Sequence, residues 1–392
     1  MKYLSSTIVA LAVCHSAVLA LPQKGDSTAG TYTIPVFHRS ETEGNNADKL
    51  VDFEAVSEHL DWLAAKYAAS KSPDVRKPAN NIAPNQKRAT ESKKLSLTEK
   101  GSAWAVQAGF GGGLTFPLIL DTASSDCLVS DAVYSPAHSK TAKNTGTPFG
   151  FPYSNGRQAG GTIWRDNFHI GGLTVPDVAV GVSTTKFLSK AGGVCGLAPD
   201  GSSAFNNKFH PFFYQMQSLL SEPVFSFALS KKGGSQVTFG GTDASKFSGP
   251  IQTVPAVDPK NGFWKLSGIF HDGGLQGDFI LDSASDLMVI PPNTVDAFFN
   301  GLGAVPFVKN GVTYGSYRCY IPPTIKFDFG TATVTAIDSV KSIGKTSEGR
   351  CVLPIVAKDL GFGIPLVGGP LFESSYVVFN TSSLTVGFAE RK

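Results

Sequence analysis

Apolar residues along this chain follow two different periods. In the segment LVDFEAVSEHLDWLAAKYAASK (residues 50–71), Leu60, Leu63 and Tyr67 stand at i, i+3 and i+7, so an amphipathic helix is predicted there. A polar stretch rich in Pro, Asn and Lys follows (residues 72–94) and reads as an exposed linker. From Leu95 the pattern changes to short apolar runs separated by glycine-rich turns. The run Trp104–Phe110, the triplet Gly111-Gly112-Gly113 and the next apolar run form one predicted hairpin. Residues 149–172 form a second, turning at Asn155-Gly156. Further strands are predicted on either side of Gly233-Gly234, over residues 263–270, and twice within residues 374–390. The chain is therefore all-β dominated, with a few short helices.

Two of the apolar runs end in the same way. Ile119-Leu120 drives into Asp121-Thr122-Ala123-Ser124-Ser125-Asp126, and 161 positions later Ile280-Leu281 drives into Asp282-Ser283-Ala284-Ser285-Asp286. A carboxylate at the end of a buried strand is costly unless something satisfies it. Two in matching contexts suggest a duplicated fold that brings them together. Two carboxyl groups held close cannot both ionise, so one keeps its proton in acid. The pair can then act as base and acid on one water. Each aspartate also has an apolar-apolar-Gly segment downstream: Val194-Cys195-Gly196 at 75 residues and Leu366-Val367-Gly368 at 86, counted to the glycine.

The 392 residues suffice for two or more domains, and 42 Gly with 24 Pro suit many turns. A net charge of +3 with no concentrated basic stretch gives no reason to expect nucleic acid as a partner. The seven histidines are scattered, so no metal site is expected; no Gly-x-Ser-x-Gly motif is present, and no cofactor is implied. Lys2, the apolar run Ile8–Val13 and the small residues up to Ala20 read as a secretory signal peptide, with cleavage after Ala20. No run is long enough for a membrane span. An exported, extracellular protein is expected. Without Cys14 four cysteines remain, Cys127, Cys195, Cys319 and Cys351. An even count favours two disulfides in any of three pairings, the alternative being buried free thiols. Asn380-Thr381-Ser382 is an N-glycosylation sequon.

Together these residues resemble the pepsin-type aspartic peptidases, particularly secreted fungal ones, over about residues 95–392. The family carries Asp-Thr/Ser-Gly at each catalytic aspartate, whereas this chain has Ala123 and Ala284 in place of both glycines. The resemblance implies a bilobal double β-barrel with pseudo-two-fold symmetry. It implies a signal peptide over 1–20, a propeptide over 21–88 ending at the dibasic Lys87-Arg88, an N-terminal lobe over 89–250 and a C-terminal lobe over 251–392. Residues 33–39 resemble the strand that opens such propeptides. Lys66-Tyr67 resembles the Lys-Tyr pair that covers the carboxylates in zymogens.

The hairpin turning at Asn155-Gly156 is similar to the family's substrate-covering flap. Tyr153 stands at the flap tyrosine, Ser154 and Gly156 border it, and Leu128 replaces the tryptophan that usually supports it. The resemblance favours Cys319–Cys351, which leaves Cys127 with Cys195. It implies that Asp121 and Asp282 activate water against a peptide bond. Thr122 and Ser283 would bond across the lobes, and Ser124 and Ser285 would bond the outer carboxylate oxygens. Alanine keeps the backbone N–H that the family glycine supplies, and is tolerable if φ is negative. The expected protein is a monomer that cleaves protein or peptide substrates. The alternative is a catalytically silent pepsin-fold binding or inhibitor protein.

Overall fold

The computed structural model describes residues 30–38, 49–70, 104–152, 158–184, 192–205, 208–230, 233–271, 273–336 and 342–392. The expected signal peptide, the Lys87-Arg88 linker and the hairpin tip with Tyr153, Ser154 and Gly156 lie outside these residues.

Helix α1 (Phe53–Ala69) occupies the segment with helical spacing. It starts where Asp52 accepts a bond from the Ala55 N–H at 3.0 Å, satisfying one of the open donors of the first turn. Its apolar stripe, Leu60, Leu63 and Tyr67, is buried. Among the described residues the rest is dominated by strands in three sheets. An eight-stranded sheet is built mainly from Trp104–Phe110, Phe116–Asp121, Cys127–Ser130, Lys143–Pro152, Gln158–Ile170, Leu173–Ser183 and Gly193–Gly196. A ten-stranded sheet gathers the strands between Lys265 and Val367.

The third sheet joins the two halves. It has six strands and places Val224–Ala228 beside Ser375–Asn380, so each half contributes to one continuous ladder. Tyr32–Pro35 forms its edge against Gln236–Phe239. The expected lobe boundary at 250/251 falls inside one of its strands, Phe247–Pro255. The largest buried cluster runs without a break from the first sheet through this shared one to the second. At its centre Phe225 stacks on Phe379 at 4.8 Å, with the fully buried Trp264 edge-on to Phe379 at 5.2 Å.

Trp264 also donates its indole N–H to the Leu197 carbonyl at 2.9 Å, tying the C-terminal half to the segment beneath Asp121. Trp264→Phe keeps most of the packing but leaves that carbonyl without its donor. A loss of about 1–2 kcal/mol is expected, read as a lower denaturant midpoint at unchanged m-value. An unchanged midpoint would show that the bond contributes nothing.

Candidate active site

Each aspartate is delivered by a strand whose end is held by a parallel neighbour. Phe116–Asp121 pairs with Gly193–Gly196, Asp121 opposite Gly196. Leu275–Leu281 pairs with Leu366–Val367, and the Asp282 N–H continues the ladder to the Val367 carbonyl at 3.0 Å. After each glycine the chain passes close beneath the aspartate loop. A Cβ on Gly196 would lie 2.1 Å from the Ser124 carbonyl oxygen, and one on Gly368 would lie 2.0 Å from that of Ser285. Close backbone approach is what restricts these two positions to glycine.

The two loops meet and exchange hydrogen bonds. Thr122 Oγ1 donates to the Leu281 carbonyl at 2.8 Å, and Ser283 Oγ donates to the Leu120 carbonyl at 2.7 Å. Each hydroxyl also accepts the other residue's backbone N–H at 3.0 Å. Asp121 and Asp282 are thereby fixed side by side, both fully buried. Asp121 Oδ1 accepts from the Ala123 N–H at 2.8 Å and Oδ2 from Ser124 Oγ at 2.7 Å. Asp282 Oδ1 accepts from the Ala284 N–H at 3.0 Å. Burial raises the Asp121 carboxyl, the Lys66 charge opposes this, and neighbouring Asp282 adds to the rise.

The two alanines keep the amide donors, and neither has positive φ. Their methyl groups pack across the interface. Ala123, from the first half, belongs to the cluster of Phe263, Ile280 and Leu287. Ala284, from the second, belongs to that of Ile119, Val194 and Phe205. Added carbon is therefore accommodated here, in contrast to Gly196 and Gly368.

Helix α1 lies over the pair. The Lys66 ammonium reaches both Asp121 oxygens at 3.2 and 3.1 Å and Asp282 Oδ2 at 2.7 Å. The Tyr67 hydroxyl donates to the same Asp282 oxygen at 2.9 Å. Burial pulls the Lys66 ammonium down, but Asp121 and Asp282 outweigh it and hold its pKa above the ordinary value. Burial first, then the Asp282 charge, holds the Tyr67 hydroxyl far above its usual range, so it stays a donor.

Ser285 departs from the sequence expectation. Its hydroxyl donates to the Leu287 carbonyl at 3.2 Å and faces His59 Nε2 at 3.1 Å, not the Asp282 carboxylate. Lys66 and Tyr67 already occupy Asp282 Oδ2, and His59 offers Ser285 another partner. His59 itself had no place in the sequence reading. The signal available was its spacing: His59, Trp62 and Lys66 stand at i, i+3 and i+7 on one helical face. Burial is the main cause lowering the His59 pKa to about 4; nearby Asp286 opposes this and Lys66 assists it. A second unread group is Asp126, whose buried carboxyl is pushed up to about 6 despite bonds from Ser203 Oγ at 2.6 Å and the Ala204 N–H at 2.5 Å.

The structure contains the bridges Cys127–Cys195 and Cys319–Cys351. Asn380 ends a strand, and its side-chain oxygen accepts the Ser382 and Ser383 N–H groups at 2.9 and 3.0 Å. Among the described residues no group of three His, Cys, Asp or Glu side chains is placed to hold a metal, and no helix is long and apolar enough to cross a membrane.

The family model for eukaryotic aspartyl proteases matches residues 103–391. Over 296 residues the chain is 34% identical to secreted aspartyl protease 1 of Malassezia globosa, covering 74% of each chain. It is 26% identical over 413 aligned positions to an aspartic protease of Phaffia rhodozyma, covering 98% of both. A further relative, a probable inactive secreted aspartyl protease of Malassezia globosa, is 27% identical over 313 residues, covering 76% of this chain and 79% of that one.

Two predictions follow from this geometry. Gly196→Ala forces the Asp121 loop to move, and displacement of about 1 Å costs on the order of a hundredfold in turnover. Ala123→Gly keeps the amide donor and is expected to change turnover less than about threefold, while lowering stability by about 1 kcal/mol through backbone entropy and the lost methyl. Parallel turnover and melting measurements on the two variants test the contrast, and equal losses of activity would refute it.

The second concerns His59. Helix α1 docks with this imidazole neutral. Free of the site its pKa lies near 6.5, and in the site near 4. Docking is therefore undiminished above pH ~6.5, weakens as pH falls, and is about two orders of magnitude weaker below pH ~4. His59→Gln keeps a neutral partner for Ser285 and should move detachment of α1 to lower pH. Amide exchange of the helix across pH 7 to 3 measures this; an unshifted midpoint would rule the histidine out.

Proposed function

The chain belongs to the eukaryotic aspartyl protease family, and on that premise we propose that it is a secreted aspartic endopeptidase whose water is activated between Asp121 and Asp282. The observation that carries this reading is the position of one nitrogen. Lys66 Nζ lies within 3.2 Å of both carboxylates, so the two groups converge on a single point. When helix α1 leaves, that point is open to a water molecule.

One carboxylate takes a proton from the water as its oxygen bonds to the peptide carbonyl carbon. The other, protonated, gives its hydrogen to the carbonyl oxygen, forming a neutral gem-diol. Collapse breaks the C–N bond, with the leaving nitrogen protonated from the pair. Thr122 and Ser283 hold the loops in register. Ser124 steadies Asp121, and Ser285 gains the same role at Asp282 once His59 withdraws. Tyr153, Ser154 and Gly156 form the flap that closes on the substrate.

Residues 21–88 act as a propeptide, with α1 as the inhibitory plug and Lys87-Arg88 as the maturation site. Residues 1–20 direct export, Asn380 carries glycan, and the extracellular monomer acts on protein or peptide substrates. The lobes divide at 250/251 and share the central sheet. A silent binding or inhibitor protein is the second reading, favoured by alanine at both loops and by a relative named as inactive.

The test is acidification of the purified precursor from pH 6 to pH 3, followed by a mixed peptide library with and without pepstatin, beside Asp121→Asn. Cleavage that both pepstatin and the substitution abolish is the expected outcome. A folded, propeptide-free protein that cuts nothing at any pH would leave only the binding reading.

A further inference from the structure

The two halves offer an internal comparison at the strands beneath the aspartates. In the first half Cys127 lies opposite Cys195, and Leu128 opposite Val194. In the second half Met288 lies opposite Val367, and Val289 opposite Leu366. The two pairs of strands thus match position for position. Cys127, Cys195, Met288 and Val367 all face the main core, so the fold accepts an ordinary apolar pair at this register.

The opposite faces differ. Val289 and Leu366 are buried in a cluster that includes Tyr314, Val352, Val356 and Phe362. Their counterparts Leu128 and Val194 pack with Ile119, Phe149, Ile163 and Phe205, but they also border a cavity shared with Ser124 and Asp126 and lined by Trp62 and Ala69 of helix α1. Leu128 is only half-buried. Packing therefore covers Val289 and Leu366 completely, whereas in the first pair Leu128 is left beside a gap on the side facing the site. Departure of α1 removes Trp62 and Ala69 and widens it.

We propose that the Cys127–Cys195 disulfide is a positioning device for Asp121, supplying covalently the restraint that packing supplies beneath Asp282. The strand carrying Cys195 stands between the two strands that flank the Asp121 loop. It donates from Leu197 N–H to the Asp121 carbonyl at 2.7 Å, from Ala198 N–H to the Ser124 carbonyl at 2.9 Å and from Gly196 N–H to the Asp126 carbonyl at 3.0 Å. A shift of this strand moves all three acceptors and the carboxylate with them. The bridge joins the residue after the loop to the residue before Gly196, where it opposes sliding of either strand. Cys319–Cys351 closes a loop whose Cys319 is exposed, and serves as the control.

The inference rests on the peptidase reading. The experiment compares the mature enzyme with Cys127→Met/Cys195→Val, which copies the pair of the second half, and with Cys319→Ala/Cys351→Ala. With the first variant kcat should fall about tenfold or more while KM stays within about twofold, and the acidic limb of the kcat/KM–pH profile should move. The second should lower Tm and leave kcat and the profile alone. A first variant that loses only Tm overturns the inference. Should it not fold, the smaller Cys127→Ala/Cys195→Ala takes its place; if neither folds while the control does, the bridge is purely structural and the inference fails. An inert wild type overturns the peptidase reading, whereas an active wild type beside a variant of equal kcat overturns only this one.

Discussion

The crossed bonds between Thr122, Ser283 and the carbonyls of Leu281 and Leu120 are the constraint on which the rest depends. Each links a side chain of one half to the backbone of the other, in a fully buried setting. Lost there, each would leave a donor and an acceptor away from water, at about 1–3 kcal/mol for each group. The two aspartates follow these residues' positions directly, being their chain neighbours. Two carboxylates would otherwise separate, since burial and mutual repulsion both oppose their approach. The shared sheet and Trp264 bring the halves together coarsely; the crossed bonds set the final spacing.

Given that spacing, the alanines and glycines sort by what lies over each Cα. At Gly196 and Gly368 the neighbouring backbone leaves no room for a Cβ. At Ala123 and Ala284 the methyl enters apolar contacts supplied by the opposite half. The residue type that changes least in volume thus changes the interface most symmetrically, adding one methyl to each side and removing no hydrogen bond from either carboxylate.

How much of this was legible in the sequence depended on whether the signal was local. An apolar run stopping at an aspartate is a local pattern, and its repetition at Asp282 marked the pair. The i, i+3, i+7 spacing of Leu60, Leu63 and Tyr67 gave the helix for the same reason. The shared sheet left no such mark. Tyr32–Pro35 meets Gln236–Phe239, and Val224–Ala228 meets Ser375–Asn380, across stretches of chain that say nothing about pairing. His59 was missed because a lone histidine on a helix has no meaning until the partner of that helix is known. Ser285 was assigned by analogy with Ser124, and the equivalence of the two serines ends where His59 of α1 takes Ser285 as its partner while Ser124 bonds Asp121.

That asymmetry clarifies what each contact of α1 contributes. A buried ammonium facing two carboxylates has a large attraction and a comparable desolvation penalty, so its net contribution is small. Leu60 and Leu63 carry no such penalty, and burying each is worth about 1.5–3 kcal/mol. Packing therefore supplies most of the helix's hold, and the buried neutral His59 makes that hold depend on pH. The apolar contacts fall on both sides of the dyad: Leu60, Leu63 and Tyr67 join the cluster of the second half, while Trp62 and Ala69 join that of the first. The surface that α1 covers is thus apolar on either side of the two carboxylates. Its shape suits a segment with apolar groups flanking a polar centre, as α1 itself presents with Leu63 and Ala69 on either side of Lys66.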